Sequence, residues 1–144
     1  HGKDKQWADG GVFLHGIDVK IRDVTDGTSN TLCFGERTYS HRVGNTVVSS
    51  RAANIFVTSS RTTNIQDCSG DGDCATDAFG TIGFYGPNGA TDNNHARCGL
   101  SSQHAGGAQS ALLDGKVTFI SENVDREVAS RLCVRHDGQP VRVP

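Results

Sequence analysis

The sequence predicts a mainly β fold of the α+β kind: a twisted antiparallel sheet with a C-terminal hairpin, one short helix and disulfide-stapled loops. Three observations carry this expectation. Gly, Ser, Thr and Asn supply 50 of the 144 residues, whereas Lys supplies 4 and Glu 3, a balance that suits short strands and turns rather than long helices. Apolar residues alternate at period two in Ile17–Arg22 and in the runs on either side of Asp114-Gly115. Five cysteines, with no C-x2-C zinc spacing, point to disulfides in an oxidising compartment.

At 144 residues the chain suits one domain, read as an extended arm over 1–10 and a β-rich domain over 11–144. A net charge of -2 gives no basic field for nucleic acid, and no apolar run is long enough for a membrane span. Met is absent even at position 1, so the chain is read as starting after a cleavage site or as lacking an N-terminal portion.

In chain order, Gly11–Leu14 is a short strand candidate, and Ile17, Val19 and Ile21 line one face of the clearest half-buried strand. Asp23 can cap a turn, and Asp26-Gly27 suits a tight one. Thr31–Glu36 resumes as a strand, and Ala53–Val57 is another. Residues 66–80 and 86–107 read as loops. Ala108–Leu113 and Lys116–Ile120 flank Asp114-Gly115, a hairpin signal for a two-residue type I′ turn. A short helix follows near 124–132, with Asn123 as its cap and Val124, Val128 and Leu132 on one face. Val134 and Val141–Val143 are read as material for an edge strand.

The chemistry-bearing clusters are few. Asp67, Ser69, Asp71, Asp73 and Asp77 alternate around Gly72 like half of a calcium loop, with Ala78 where a bidentate acid is needed. Calcium is therefore the one cofactor candidate, against a solvated loop pinned by a Cys68–Cys74 bridge. Cys98 is paired with Cys133, leaving Cys33 as an apolar filler in its strand, although sequence alone permits other pairings. His104 and Asp114 with many serines invite a hydrolase reading, but no G-x-S-x-G elbow is present and no nucleophile–base–orienter set is legible. The Ser/Thr-rich window 46–63 is a candidate for O-linked sugar, against ordinary exposed strand.

Two stretches resemble a known family. They are Ile21-Arg22-Asp23-Val24-Thr25-Asp26-Gly27-Thr28-Ser29-Asn30-Thr31, with Gly35-Glu36 following, and His104-Ala105-Gly106-Gly107 leading to Asp114-Gly115-Lys116-Val117-Thr118-Phe119-Ile120. They look like the prepilin-type family with an H-x9-DG motif, abundant in planctomycetes. The resemblance implies a pilin-like head of a secreted surface filament, with the processed apolar helix of that family missing from this chain. Asp23, Asp26, Gly27, Thr28, Ser29, Asn30, His104, Gly106, Gly107, Asp114 and Gly115 are expected to be structural, satisfying turn backbone.

The expected function is a non-enzymatic, extracellular structural subunit whose partner is itself. Copies would join head-to-tail by donating the N-terminal segment, with Trp7, Val12 and Leu14 filling a neighbour's pockets. The alternatives are a secreted calcium- or ligand-binding β module and a secreted hydrolase.

Overall fold

The computed structural model describes residues 10–13, 18–49, 56–57, 79–80, 86–89 and 99–141. The fold is mainly β, with one short helix. A five-stranded sheet is built from β1 (Leu32–Gly35), β4 (Phe56–Val57), β5 (Phe79–Gly80), β6 (Gly107–Leu112) and β7 (Val117–Ser121), in the order β5-β4-β1-β6-β7. All neighbours are antiparallel except β4 and β5, which run parallel. A separate hairpin pairs β2 (Ser40–Val43) with β3 (Thr46–Ser49). The single α-helix among the described residues, α1, is Arg126–Leu132.

The core lies between the sheet and α1. Ser110 and Leu112 of β6 and Ile120 of β7 are buried, whereas Gln109, Val117 and Phe119, of the opposite parity, are exposed. Leu32, Leu112 and Ile120 pack with Leu100, Ala129, Leu132 and Cys133, and Val124 and Val128 close the rim. Gly107 is needed where β6 passes β7: a Cβ there would overlap the Ile120 carbonyl oxygen.

β1 carries one extra residue. Leu32 is opposite Leu112 but Phe34 is opposite Ala111, so Cys33 has no partner of its own. The bulge sends Cys33 to a second cluster, with Val12, Val24, Phe13, Ala111 and Leu113. Its thiol donates to the Ala111 carbonyl oxygen at 3.4 Å.

Several local expectations are corrected. The alternation over Ile17–Arg22 does not make a strand. Ile17 lies outside the described residues, 18–20 are irregular, and Ile21–Asp23 is a single 3-10 turn with Ile21 66% exposed. The Asp23 carboxylate accepts the Lys20 N–H at 2.9 Å, and the Asp23 N–H donates to the Lys20 carbonyl. Local bonding of this kind competes with a sheet ladder.

Gly11–Phe13 is a series of bends rather than a strand. The hairpin turn is not type I′ either, because Gly115 has φ +87° and Asp114 does not have positive φ. The Gly115 N–H closes onto Leu112, so Leu113-Asp114 are the central residues and Gly115 forms the bulge after them. The cap of α1 is Asp125, whose Oδ1 accepts from Glu127 and Val128 at 2.9 and 3.1 Å; Asn123 lies two residues earlier. Val134 is buried after α1 and adds no strand, while Val141 packs on the core.

Burial pushes the Cys33 pKa up, and the Asp114 charge adds to the rise. In the unfolded chain this thiol ionises at its ordinary value, about 8.5. Between that value and the folded one the unfolded state binds fewer protons, so stability falls as pH rises. Urea melts from pH 7.5 to 10 are expected to show this alkaline decline. Cys33→Ala should flatten it; an unchanged slope in that variant would contradict the assignment.

Candidate functional site

The two motif stretches meet across the β1–β6 pair, one contact at each end of β6. At the turn end, Asp26 is 5% exposed, and its carboxylate accepts the backbone N–H groups of Asp137 and Gly138 at 2.8 and 2.9 Å. Its own N–H donates to the Arg135 carbonyl. Asn30 Nδ2 returns to the Asp26 carbonyl at 2.9 Å, and Thr31 Oγ1 donates to the Gly27 carbonyl at 3.1 Å. The Asp114 N–H reaches the Thr28 carbonyl at 3.2 Å, and the Leu113 N–H reaches Thr31 at 3.0 Å. Asp114 Oδ1 then accepts the Lys116 N–H at 2.9 Å. The D-G-T-S-N-T string therefore ties the β6–β7 turn to the segment after α1. Ser29 is exposed, and Asp23 serves its own turn.

At the other end, His104 Nε2 is 3.4 Å from Glu36 Oε1, and Glu36 Oε2 accepts the Gln109 N–H at 3.0 Å. Glu36 also exchanges main-chain bonds with Gln109 and Ser101. The Ser102 hydroxyl donates to the Gly107 carbonyl and accepts the main-chain N–H of His104. Asn88, in the left-handed region at φ +61°, holds the Ser102 N–H at 2.8 Å. Gly106, at φ +84°, lets its carbonyl take the Glu122 N–H.

The His104 imidazole is 56% exposed, so the structural part of this residue is its backbone rather than its ring. The ring faces Glu36, and the Ser102 proton is directed at Gly107, so the two do not form a nucleophile and base. Beside them, between the β2–β3 hairpin and the 102–106 loop, lies an open cleft of about 750 Å³. Arg42, Val47, Asn88, His104, Glu122 and Asn123 are among its lining.

Glu36, Ser102, Asn88 and Asp125 were not singled out from sequence for these roles. Pro87-Asn88-Gly89 is a turn signal, and Glu36 belongs to the Gly35-Glu36 pair that goes with the first motif stretch. The Gly44-Asn45 dipeptide marks the turn of the β2–β3 hairpin in the same way.

β7 is the one edge of the five-stranded sheet whose side chains are described. Among the described residues it pairs with β6 alone. The Lys116 carbonyl accepts from Leu112 and the Glu122 N–H donates to Gly106, which sets the even-numbered residues toward β6. The main-chain groups of Val117, Phe119 and Ser121 therefore face away from the sheet. Val117 is 63% and Phe119 40% exposed, and Phe34 lies on the same face.

Among the described residues no disulfide is formed. The expected Cys98–Cys133 bridge is corrected: Cys133 carries a thiol, buried among Leu32, Leu100 and Leu132 and donating to the Ala129 carbonyl at 3.4 Å. Cys98 itself, and both members of the Cys68–Cys74 pair, lie outside the described residues. So do the calcium candidates Asp67, Ser69, Asp71, Asp73 and Asp77, together with Trp7 and Leu14. Within the 46–63 window, 46–49 form β3 and 56–57 form β4, the rest falling outside the description. Val12 is buried against Val24 and Cys33 in its own domain. Arg135 donates to the carbonyls of Gly10 and Gly11, so Gly10 belongs with the domain rather than with an arm. No helix among the described residues is long and apolar enough to cross a membrane.

A family model described as a protein of unknown function, DUF1559, matches residues 1–127. The chain belongs to the DUF1559 family. No curated protein and no solved structure matches it. The matched span of this DUF1559 chain takes in both motif stretches, from the Asp23 turn through β7.

The two ends of β6 differ in burial, and the DUF1559 chain should show it in chemical unfolding. Asp26→Ala removes a buried carboxylate and leaves the Asp137 and Gly138 N–H groups without their anionic acceptor, an expected loss of about 2–3 kcal/mol. His104→Ala removes only an exposed contact to Glu36, an expected loss below about 1 kcal/mol. Equal losses in the two variants would contradict this division.

Proposed function

We propose that this chain is a structural subunit of an extracellular filament or surface appendage, a non-enzymatic head whose copies join through the open edge of β7. The observation that carries the reading is that edge: a five-residue strand, three of whose residues turn their main-chain groups outward, with two exposed apolar side chains, Val117 and Phe119. An uncovered edge recruits another strand unless it is blunted by Pro, a bulge or inward-pointing charge, and none of these lies within Val117–Ser121. The likeness of the two motif stretches to the pilin-like H-x9-DG family supports placing such a subunit on a cell surface.

The sequence suggested head-to-tail joining through the N-terminal segment, with Val12 entering a neighbour. Val12 already has its partners in Val24 and Cys33, and withdrawing it would open that cluster. The joining contact is therefore assigned to β7. A ligand-binding β module is the second reading, favoured by the cleft beside His104. Its polar lining suits a hydroxylated or amide-bearing ligand.

Electron microscopy and sedimentation of the full chain test the first reading. Val117→Pro removes an outward N–H, so it breaks no bond to β6 and should leave the circular dichroism unchanged. Associated particles are expected from the parent and smaller ones from the variant. A parent protein that stays strictly monomeric at its highest soluble concentration would reject the reading.

A further inference from the structure

We propose that the strand received by β7 is β7 of a second copy of this chain, paired antiparallel about a two-fold axis through Phe119. The inference rests on the reading of β7 as the joining edge and names its occupant. A two-fold contact requires a self-complementary strand. Because the outward-facing residues are odd-numbered, an axis through Phe119 sets Phe119 opposite its copy and Val117 opposite Ser121 of the second copy. All three outward residues are then used, giving about six main-chain hydrogen bonds. The Ser121 carbonyl already accepts from Val124 and would accept a second donor on its other lone pair.

The register follows from charge. With the axis on Phe119, Lys116 stands opposite Glu122 of the second copy, and the symmetry makes this pair twice. Both residues are exposed. Lys116 gives its backbone N–H to Asp114 and Glu122 its N–H to Gly106, and among the described residues neither side chain forms an ion pair. Moving the axis to Thr118 sets Lys116 opposite Ile120; moving it to Ile120 sets Glu122 opposite Thr118. Either shift gives up both ion pairs. Cross-strand pairs of opposite charge stabilise a register, and like charges directly opposite destabilise it.

The apolar side chains agree with this register. Val117 and Phe119 lie on the outer face with Phe34, so pairing brings the two Phe119 rings together over the axis. The contact is short for a permanent dimer, and micromolar association is the expectation for an interface of this size. An isologous contact closes at two copies, so a filament would grow through a different face of this pair.

Sedimentation of the full chain tests the occupant and the register together. Lys116→Glu and Glu122→Lys should each weaken association about tenfold or more, because each places like charges opposite each other twice. The double variant should restore it, and raising salt should weaken the parent. If Val117→Pro abolishes association but the double charge variant fails to restore it, the β7 edge stands and this pairing is overturned. If Val117→Pro leaves association intact, the edge reading itself fails. Dimers whose affinity is the same in all charge variants would also overturn the pairing.

Discussion

The β1–β6 pair is the constraint on which the rest of this structure depends. β1 is flanked by β4 and β6, and β6 by β7, so this pair is the middle of the sheet. Leu32 opposite Leu112 supplies the centre of the core beneath α1. The pair is also fastened at both ends by side chains. Asp26 and its neighbours hold the β6–β7 turn to the segment after α1, while Glu36 bridges His104 and Gln109. β6 is six residues long, about 20 Å of extended chain. That length gives a physical reading of the nine residues between His104 and Asp114. They are the strand, its entry and its turn, and the two named residues mark the points where the first motif stretch must be met.

Much of this was legible because the signals were local and strong. The β6–β7 hairpin came from two apolar runs around Asp114-Gly115, and the helix face came from Val124, Val128 and Leu132. The turn type was missed because Leu113 has an apolar side chain that belongs in the second cluster, so the chain turns one residue earlier. The Ile17–Arg22 alternation misled because its period ignores Asp23, whose carboxylate closes a turn on Lys20. The β2–β3 hairpin was hidden in a Ser/Thr-rich stretch, where composition gave no face to bury; only Gly44-Asn45 marked it. Asp26 was legible as a turn residue, but its bonds to Asp137 and Gly138 are 111 and 112 residues away in the chain. No local pattern encodes a partner at that distance.

The two faces of the sheet are covered unequally, and this asymmetry shapes what the surface can do. On one face α1 and Leu100 seal Leu32, Leu112 and Ile120 from water. On the other face, the bulge at Cys33 lets Val12, Val24 and Phe13 cover the β1 end of the sheet. Phe13 and Phe34 lie with ring centroids 5.3 Å apart, at the border of that cover. Beyond it Val117 and Phe119 remain exposed toward β7.

This division separates the residues that fold the sheet from those of the proposed association. The residues that fasten the sheet are short polar side chains bonded to backbone, and their geometry is spent within the domain. The residues left at the β7 edge are a different set: Val117 and Phe119 supply apolar area, while Lys116 and Glu122 bracket the strand with opposite charge. An edge kept only for solubility would carry charge or Pro inside the strand, where it blocks a ladder. Here the charges sit just outside the strand, one of each sign, and the strand itself is free of them. Charges placed there do not block pairing; they select among registers, rewarding the one in which opposite signs meet. In the proposed pairing the same four side chains would change association with little effect on the core, because none of them is buried between the sheet and α1.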